Sequence, residues 1–351
     1  MNKEYNDNKE YNEALSGLRF SAEAKAGMVQ NLLDAAGQPV KRRARRPLPR
    51  LAVAGIAAAL VLSIGAGATV VYNKLASESF AGVFGTAHTE IVDKIGRPIG
   101  ASATDNGVTV TADAIIGDKY SYAVVYTITR DDGTAFDLEG NEFGYLPLYF
   151  EESDTSIGHL GGMHGGSYFI DETPGDNAIQ FVEMRTADAP LKETTAKAKM
   201  ENLRFNDGDD DYLLVEGTWK LKFDFAFEDA SLDLAAGQTL ALNGMDVVIN
   251  EITLSPIGLQ VNYTVGSEIE WSNAPSGRED PRDAAQSRRY FEDLQILLTK
   301  TDGTVIDMSQ SGGGIRPKNG KTECQKGGLF DEILSMDEVA SLTVGGVDIP
   351  L

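Results

Sequence analysis

The sequence predicts a mainly β protein in which a short helix and one transmembrane helix precede two tandem β-sandwich domains. Three observations support this fold class. An apolar run occupies residues 51–72, short segments of alternating polar and apolar residues begin near Thr104, and a pattern in the first half of that region recurs in the second. Alternation with a period of two is typical of half-buried strands, and Gly-Asp and Asp-Gly turns separate the segments.

Residues 1–50 are predicted to be a cytoplasmic segment with an amphipathic helix over residues 21–36. Ser21 can cap this helix and Gly37 can end it. A single short helix with an apolar stripe is only marginally stable alone, so we expect the stripe to contact a partner. The side chains expected to make that contact are Leu18, Phe20, Met28, Val29, Leu32 and Leu33. The alternative, a simple tether, stays open.

The apolar run Leu51–Tyr72 is predicted to span a membrane. At a rise of ~1.5 Å per residue its 22 residues form a helix of roughly 33 Å, about the thickness of the hydrocarbon core. A basic block lies directly before the run. It consists of Lys41, Arg42, Arg43, Arg45, Arg46 and Arg50. The positive-inside rule therefore places the N-terminus in the bacterial cytoplasm and the residues after 73 outside the plasma membrane.

Two alternatives for this region are less favoured. The basic block could bind nucleic acid, but orienting the span and contacting anionic lipid explain it sufficiently. Twin arginines before an apolar run also resemble an export signal with cleavage near Ala66-Gly67-Ala68. The run is longer than the apolar part of such signals, and 50 residues is too long for the segment that precedes it.

Charge is distributed unequally across the predicted membrane. Residues 1–50 contain ten Lys and Arg against six Asp and Glu, a net charge of +4. The whole chain has a net charge of −22, so residues 73–351 have a net charge of −26. A strongly acidic outer region argues against nucleic acid or anionic lipid as its ligand. Cys324 is the only cysteine, so no internal disulfide can form, and we expect it to be a passive residue.

The outer region is predicted to contain a juxtamembrane stretch over 73–103 and two domains, 104–230 and 231–351. Its length exceeds what one hydrophobic core usually serves. Strands are expected over residues 107–116, 120–128, 145–150, 168–171, 177–185 and 217–227. Immunoglobulin-like sandwiches are built from strands of this length and spacing.

An internal repeat supports two related domains. The hairpin over residues 107–128 has an echo over 244–265, and Thr129–Asp137 has a later echo over Thr299–Asp307. The two offsets differ, which predicts an insertion in the second copy, and the polar run Ser267–Arg289 is the expected place. Chance resemblance between two ordinary hairpins is the alternative.

Two segments could hold a metal ion, but neither has a complete ligand set. His159, Met163 and His164 lie in a Gly-rich loop that suits a soft metal but lacks a further histidine nearby. Asp207, Asp209 and Asp211 alternate as in a calcium loop, but Tyr212 stands where glycine is required. We therefore expect a mobile loop and a solvated acidic turn, and no metal or other cofactor.

Motifs of known catalytic chemistry are missing from the sequence. There is no Ser-His-Asp set with a nucleophile elbow, no phosphate-binding glycine loop and no C-x-x-C pair. The expectation is that the protein is not an enzyme, and an extracellular hydrolase is the least favoured class.

Several segments together resemble the bacterial single-pass proteins of domain-of-unknown-function family 4179, described as anti-sigma-factor-like. They are Leu18–Lys25, the apolar run, Phe80–Gly85, Asp105–Val110 with its hairpin, Leu254–Leu259 and Asp337–Leu351. The resemblance implies a membrane-anchored envelope regulator whose cytoplasmic helix binds a sigma factor. It implies signal transmission by proteolysis near Ala68–Glu78. The zinc-binding His and Cys cluster of some anti-sigma domains is missing from residues 1–50.

Two functions from different classes therefore remain. The first is an envelope regulator whose outer domains sense or bind a ligand or protein that the sequence does not identify. The alternative is an envelope adhesion or ligand-binding module whose N-terminus serves only as an anchor. The two hypotheses make different predictions for residues 1–40.

Overall fold

The computed structural model describes residues 75–157, 162–272 and 280–351. The predicted cytoplasmic helix, the basic block and the predicted span lie outside these residues. The described part is mainly β, as predicted, and all its strands pair antiparallel. No helix within it is long and apolar enough to cross a membrane.

Three short helices begin the described chain, where the sequence indicated only a mixed stretch. Helix α1 covers Ala76–Ser79, α2 covers Ala81–Phe84 and α3 covers Thr89–Ile95. Phe80, Phe84, Val92 and Ile95 are buried, so these helices pack on the body of the protein. Each helix is too short to be stable without that packing.

Eight strands form the first sandwich. They are β1 (Arg97–Asp105), β2 (Val108–Gly117), β3 (Ser121–Arg130), β4 (Leu148–Ser156), β5 (Met163–Ile170), β6 (Ala178–Ala187), β7 (Thr194–Asn206) and β8 (Asp211–Phe225). One sheet has the order β1-β2-β3-β6-β5 and the other β4-β7-β8. A single apolar cluster fills the space between the two sheets. Trp219 is fully buried in that core, and its indole N–H donates to the carbonyl of Val108, 2.9 Å away.

Ten strands and three helical segments form the second sandwich. They are β9 (Leu232–Leu234), β10 (Thr239–Leu242), β11 (Met245–Leu254), β12 (Gly258–Val265), helix α4 (Pro281–Ser287), a π-helical turn (Arg288–Glu292), β13 (Ile296–Lys300), β14 (Val305–Asp307), β15 (Gly313–Lys318), β16 (Lys321–Leu329), a 3-10 turn (Met336–Glu338), β17 (Val339–Val344) and β18 (Val347–Ile349). The sheets have the orders β10-β11-β12-β16-β15, with β9 also on β11, and β14-β13-β17-β18. A second apolar cluster lies between them.

Both sandwiches share one strand order. Without β1, the first sandwich reads β2-β3-β6-β5 against β4-β7-β8, which is the order of a seven-strand immunoglobulin sandwich. The second sandwich repeats it as β11-β12-β16-β15 against β13-β17-β18, with β14 as an added edge strand. The repeat therefore extends beyond the two hairpins that the sequence analysis compared.

The repeat is visible in single residues 137 positions apart. Asn106-Gly107 and Asn243-Gly244 both make turns with positive φ at each residue, as two-residue hairpin loops of type I′ require. The ladders β2·β3 and β11·β12 each contain a bulge, at Asp113 and at Asn250. Thr127 donates to Asp113, and Asn250 donates to Thr264 in the second copy. Shared turns and bulges make chance resemblance a poor explanation.

The second predicted echo is wrong. Thr129–Asp137 begins at the end of β3, whereas Thr299–Asp307 begins at the end of β13 in the opposite sheet. The similarity reflects two turns with the same Asp-Gly-Thr chemistry, because Asp132 and Asp302 each accept a hydrogen bond from the residue two positions later. The connection after β12, residues 266–295, is nevertheless longer than the one after β3, residues 131–147.

Candidate functional site

The residues predicted to contact a partner, Leu18, Phe20, Met28, Val29, Leu32 and Leu33, lie outside the described residues, as does the basic block. Candidates within the described residues are the acidic turn, His164, Cys324 and the region where the two sandwiches meet. His159 also lies outside the described residues, so the pairing of the two loop histidines stays a hypothesis.

Carboxylates of the acidic turn between β7 and β8 already accept hydrogen bonds from nearby groups of the protein. Asp207 Oδ1 accepts from the backbone N–H groups of Asp209 and Asp210, at 3.0 and 2.8 Å. Asp211 accepts from Arg204 at 2.8 Å, which lowers the pKa of Asp211. Among the described residues no group of three or more His, Cys, Asp or Glu side chains is placed to hold a metal ion.

His164 and Cys324 have structural surroundings. His164 Nε2 lies 3.1 Å from the carbonyl oxygen of Gly327, so a residue of β5 contacts the second sandwich. Cys324 is buried in the second core, and burial raises the pKa of its thiol to about 12. A thiol in that state is a poor nucleophile.

The helical segment and both sandwiches meet at the junction, which we define as helices α1 to α3, the β2–β3 hairpin tip and the β11–β12 hairpin tip. A third apolar cluster lies there. It joins Phe80, Phe84 and Ile95 of the helical segment to the outer face of β2 and β3, and it includes Ile257 and Ile333 of the second sandwich. The chain that follows the predicted span is therefore buried against both sandwiches.

The two hairpin tips are equivalent in the repeat and contact each other. Asp118 Oδ1 accepts from the N–H groups of Tyr120 and Ser121, and Ser255 Oγ accepts from those of Ile257 and Gly258. The Ser255 hydroxyl donates to Asp118 Oδ2 at 2.6 Å. Burial raises the pKa of Asp118, against the hydrogen bonds that lower it. Each tip thus completes its own turn and binds its counterpart.

Charged side chains surround this contact. Lys119 Nζ lies 2.7 Å from Asp233 Oδ1 and 2.8 Å from Glu251 Oε1. The Tyr120 hydroxyl donates to Glu251, 3.0 Å from Oε2, and burial raises the pKa of Tyr120 to about 12. Partly buried charges with several partners hold a geometry better than an exposed pair does.

Three further polar contacts join the second sandwich to the first sandwich and to the helices. Asp188, just after β6, forms an ion pair with Arg316 of β15, and its backbone carbonyl accepts from Gln325 at 2.7 Å. His88, at the start of α3, places Nε2 at 3.2 Å from Glu338 Oε1 in the second sandwich. The helices and both sandwiches are thus tied by polar contacts as well as by the apolar cluster.

Local sequence patterns predict only ordinary turns and a mixed stretch in this region. One signal was available, because Asp118 and Ser255 lie at the same position of the repeat and both residue types hydrogen-bond to the backbone two or three residues on. The repeat predicted similar turns, but nothing in the sequence predicted that the two turns meet.

Comparison with known proteins identifies the first part of the chain. Residues 49–130 match the family described as Domain of unknown function (DUF4179). The predicted resemblance to that family is confirmed over this range, which includes α1 to α3 and the strands β1 to β3.

No curated protein matches the chain. The chain is similar to a solved structure described as the conserved domain protein from Bacillus anthracis, with 14% identity and a TM-score of 0.46, over 71% of this chain and 76% of that one. A similarity at that level carries no argument about function.

Proposed function

We propose that this protein is a membrane-anchored regulator of the bacterial envelope that acts by binding and not by catalysis. The sandwiches lie outside the plasma membrane and bind a ligand or protein there. Residues 1–40 bind a sigma factor through the helix over residues 21–36, without metal. The membrane lipid contacts the basic block.

The junction is the observation that supports this proposal. A signal from outside must pass through residues 73–75, the only covalent link from the predicted span to the sandwiches. Helices α1 to α3, which follow that link, are buried against both sandwiches. A ligand that binds one arrangement of the junction more tightly than another therefore increases the population of that arrangement. The surroundings of these helices change with it, and the difference in affinity sets the size of the shift.

A pull-down with the full chain in detergent tests the sigma-factor arm. Wild type is expected to recover a sigma factor, and Leu33→Asp is expected to lose it because the charge falls on the apolar stripe. Asn31→Asp adds the same charge to the opposite face and should recover as much as wild type. Failure of the wild type to recover a sigma factor at any salt concentration would refute this arm.

The proposed orientation in the membrane needs a separate probe, because Cys324 is buried and resists labelling in the folded protein. In a Cys324→Ala background, a cysteine at the exposed Thr134 is expected to react with a membrane-impermeant maleimide in intact cells, and one at Asn8 is expected not to react. The opposite pattern would overturn the orientation.

A second candidate function, an adhesion or ligand-binding module with a purely anchoring N-terminus, is favoured by an exposed aromatic row. Phe143 is 71% exposed and Tyr145 42% exposed, and the Tyr145 and Tyr168 rings lie 4.6 Å apart. Deletion of residues 1–40 with the basic block retained distinguishes the functions. An unchanged transcriptome favours the module, and a changed one favours the regulator.

A further inference from the structure

Two described parts of the long connection after β12 form the walls of a concave site. Its walls are the loop 266–272 and helix α4 with the π-helical turn that follows. The cavity has a volume of about 450 Å³. Glu270, Trp271, Arg282, Gln286 and Arg289 line it, so an aromatic ring and planar polar side chains converge on one space.

Hydrogen bonds fix both walls of this site. The backbone N–H and the hydroxyl of Ser272 both donate to the Asp283 carboxylate, each at 2.6 Å. Asp280 accepts from the N–H of Arg282 and also holds its guanidinium at 2.8 Å. The two walls are thereby joined, and helix α4 is capped at its N-terminus.

The loop wall is also fastened to the core of the second sandwich. The Ile269 N–H donates to the Thr322 hydroxyl, which donates in turn to the carbonyl of Ser267, each at 2.8 Å. Ile269 and Thr322 are both buried. A site held in this way needs little reordering on binding, which reduces the entropic cost.

Charges at the site differ in whether they have partners. The Arg282 guanidinium is taken by Asp280, and Arg288, outside the cavity, lies 3.9 Å from Glu292. In the described ranges no carboxylate lies within ion-pair distance of Arg289, whose guanidinium lies over the Tyr290 ring. Among the described residues, Arg289 is thus the guanidinium of this site that no carboxylate holds.

From this arrangement we infer that the site binds an acidic saccharide of the cell envelope. The sugar ring stacks its apolar face on the indole of Trp271, which is 41% exposed. Its carboxylate pairs with Arg289, and its hydroxyl or amide N–H groups donate to Glu270. The inference rests on the proposed function in placing this face outside the membrane.

Tryptophan fluorescence of the full chain in detergent tests the inference with two matched probes. N-acetylmuramic acid carries a carboxylate that N-acetylglucosamine lacks. The chain has two tryptophans, and Trp219 is fully buried, so a change in emission on titration reports Trp271. We expect both sugars to change the emission, with N-acetylmuramic acid binding about tenfold more tightly because of one added charge-assisted hydrogen bond.

Variants separate the contributions of the ring and the charge, with calorimetry as the readout common to all. Arg289→Gln is expected to bind both sugars with the same affinity as wild type shows for N-acetylglucosamine. Trp271→Ala is expected to bind neither sugar at millimolar concentration. Arg288→Gln, a matched charge loss outside the cavity, is expected to behave as wild type, and unfolding curves of all three variants should match that of wild type.

Two results would overturn the inference. The first is equal affinity of the wild type for the two sugars. The second is no response to either sugar at millimolar concentration, whether or not the zwitterionic dipeptide Gly-Gly gives one. Neither result depends on a sigma factor, so this titration and the pull-down fail separately.

Discussion

The two sandwiches bury a charge at the same position of their ladders, but with opposite sign. Glu183 of β6 lies opposite Val124, and Lys326 of β16 lies opposite Val261, its counterpart 137 residues later. Both face the core between the sheets, and Lys326 has no exposed surface. The register is shared, so the difference must come from what each charge contacts.

Glu183 contacts side chains of its own sandwich, whereas Lys326 contacts a connection. Glu183 accepts from the hydroxyls of Tyr122 and Thr155, at 2.9 and 2.7 Å. Lys326 Nζ donates to the carbonyls of Phe291, Glu292 and Leu294, at 2.8, 3.1 and 3.1 Å. The lysine therefore fastens the π-helical turn that continues the wall of the saccharide site, and the second sandwich uses the shared position to hold its insertion.

Among the variants that test this comparison, Lys326→Met is expected to have the largest effect on the stability of the protein. Methionine fills much of the volume but leaves three buried carbonyls without their donor, and we expect a loss of about 4 kcal/mol in the free energy of unfolding at pH 7. Urea unfolding measures it. Lys318→Met, at an exposed ion pair with Glu323, is the matched control and should change stability by about 0.5 kcal/mol. A loss as small as the control's would show that Lys326 does not fasten the turn.

The pH dependence of the same position gives the next effect. Burial lowers the pKa of Lys326 to about 8, below its unfolded value of 10.5. Between these two pH values the unfolded chain binds a proton at Lys326 that the folded chain has released. The free energy of unfolding of the wild type therefore rises with pH relative to that of Lys326→Met, by at most about 3 kcal/mol. Below pH 7 the difference between the two proteins does not change with pH. Unfolding curves of both proteins from pH 7 to 10.5 measure the difference. A difference that falls with pH would contradict the burial of a charged amine.

Ser255→Asp makes the second hairpin tip a copy of the first and places two carboxylates in contact. We expect a loss of about 2 kcal/mol at pH 7, because Asp118 is buried and the like charge raises its pKa further. The loss should shrink as pH falls toward 4, since a protonated carboxyl can donate to the other. Ser255→Asn, which can also cap the turn, should cost less and show no such pH dependence. Thermal unfolding at pH 4 and 7 distinguishes them.

Alanine at the two equivalent turn glycines should give the smallest effect, equal in both copies. Gly107 and Gly244 have φ of 74° and 76°, and an added Cβ would meet nothing within 4 Å at either position. Only backbone strain remains, so each variant should lose about 1 kcal/mol in urea unfolding. Unequal losses would show that the two turns are not equivalent in energy.

Local patterns were enough to predict the repeated hairpins. Alternation and the Gly-Asp and Asp-Gly turns placed β2 and β3, because both signals depend on neighbouring residues. The echo over residues 244–265 then placed β11 and β12. Strand β1 was missed, since Pro98 and Gly100 interrupt its pattern, and the structure accommodates them at a bulge. The strand begins at Arg97, before the predicted domain start at residue 104.

Features that depend on distant residues could not be predicted. Lys326 stands between Gln325 and Gly327, and nothing in its local sequence predicts burial, because its three acceptors lie more than thirty residues away in sequence. The run Ser267–Arg289 was recognised as an insertion, but the cavity beside Trp271 exists only because two of its parts pack together. The meeting of Asp118 with Ser255 is of the same kind.

The segment between the two sandwiches, residues 226–231, has a mechanical consequence. Its Glu228 N–H donates to the carbonyl of Ile95 in α3, and its Ser231 hydroxyl accepts from the N–H of Lys119 at the hairpin tip. A segment without such contacts would let the second sandwich move independently of the helices. These two hydrogen bonds attach the segment to α3 and to the first sandwich, so a displacement of the second sandwich is passed on to α3 and to the chain that enters at Leu75.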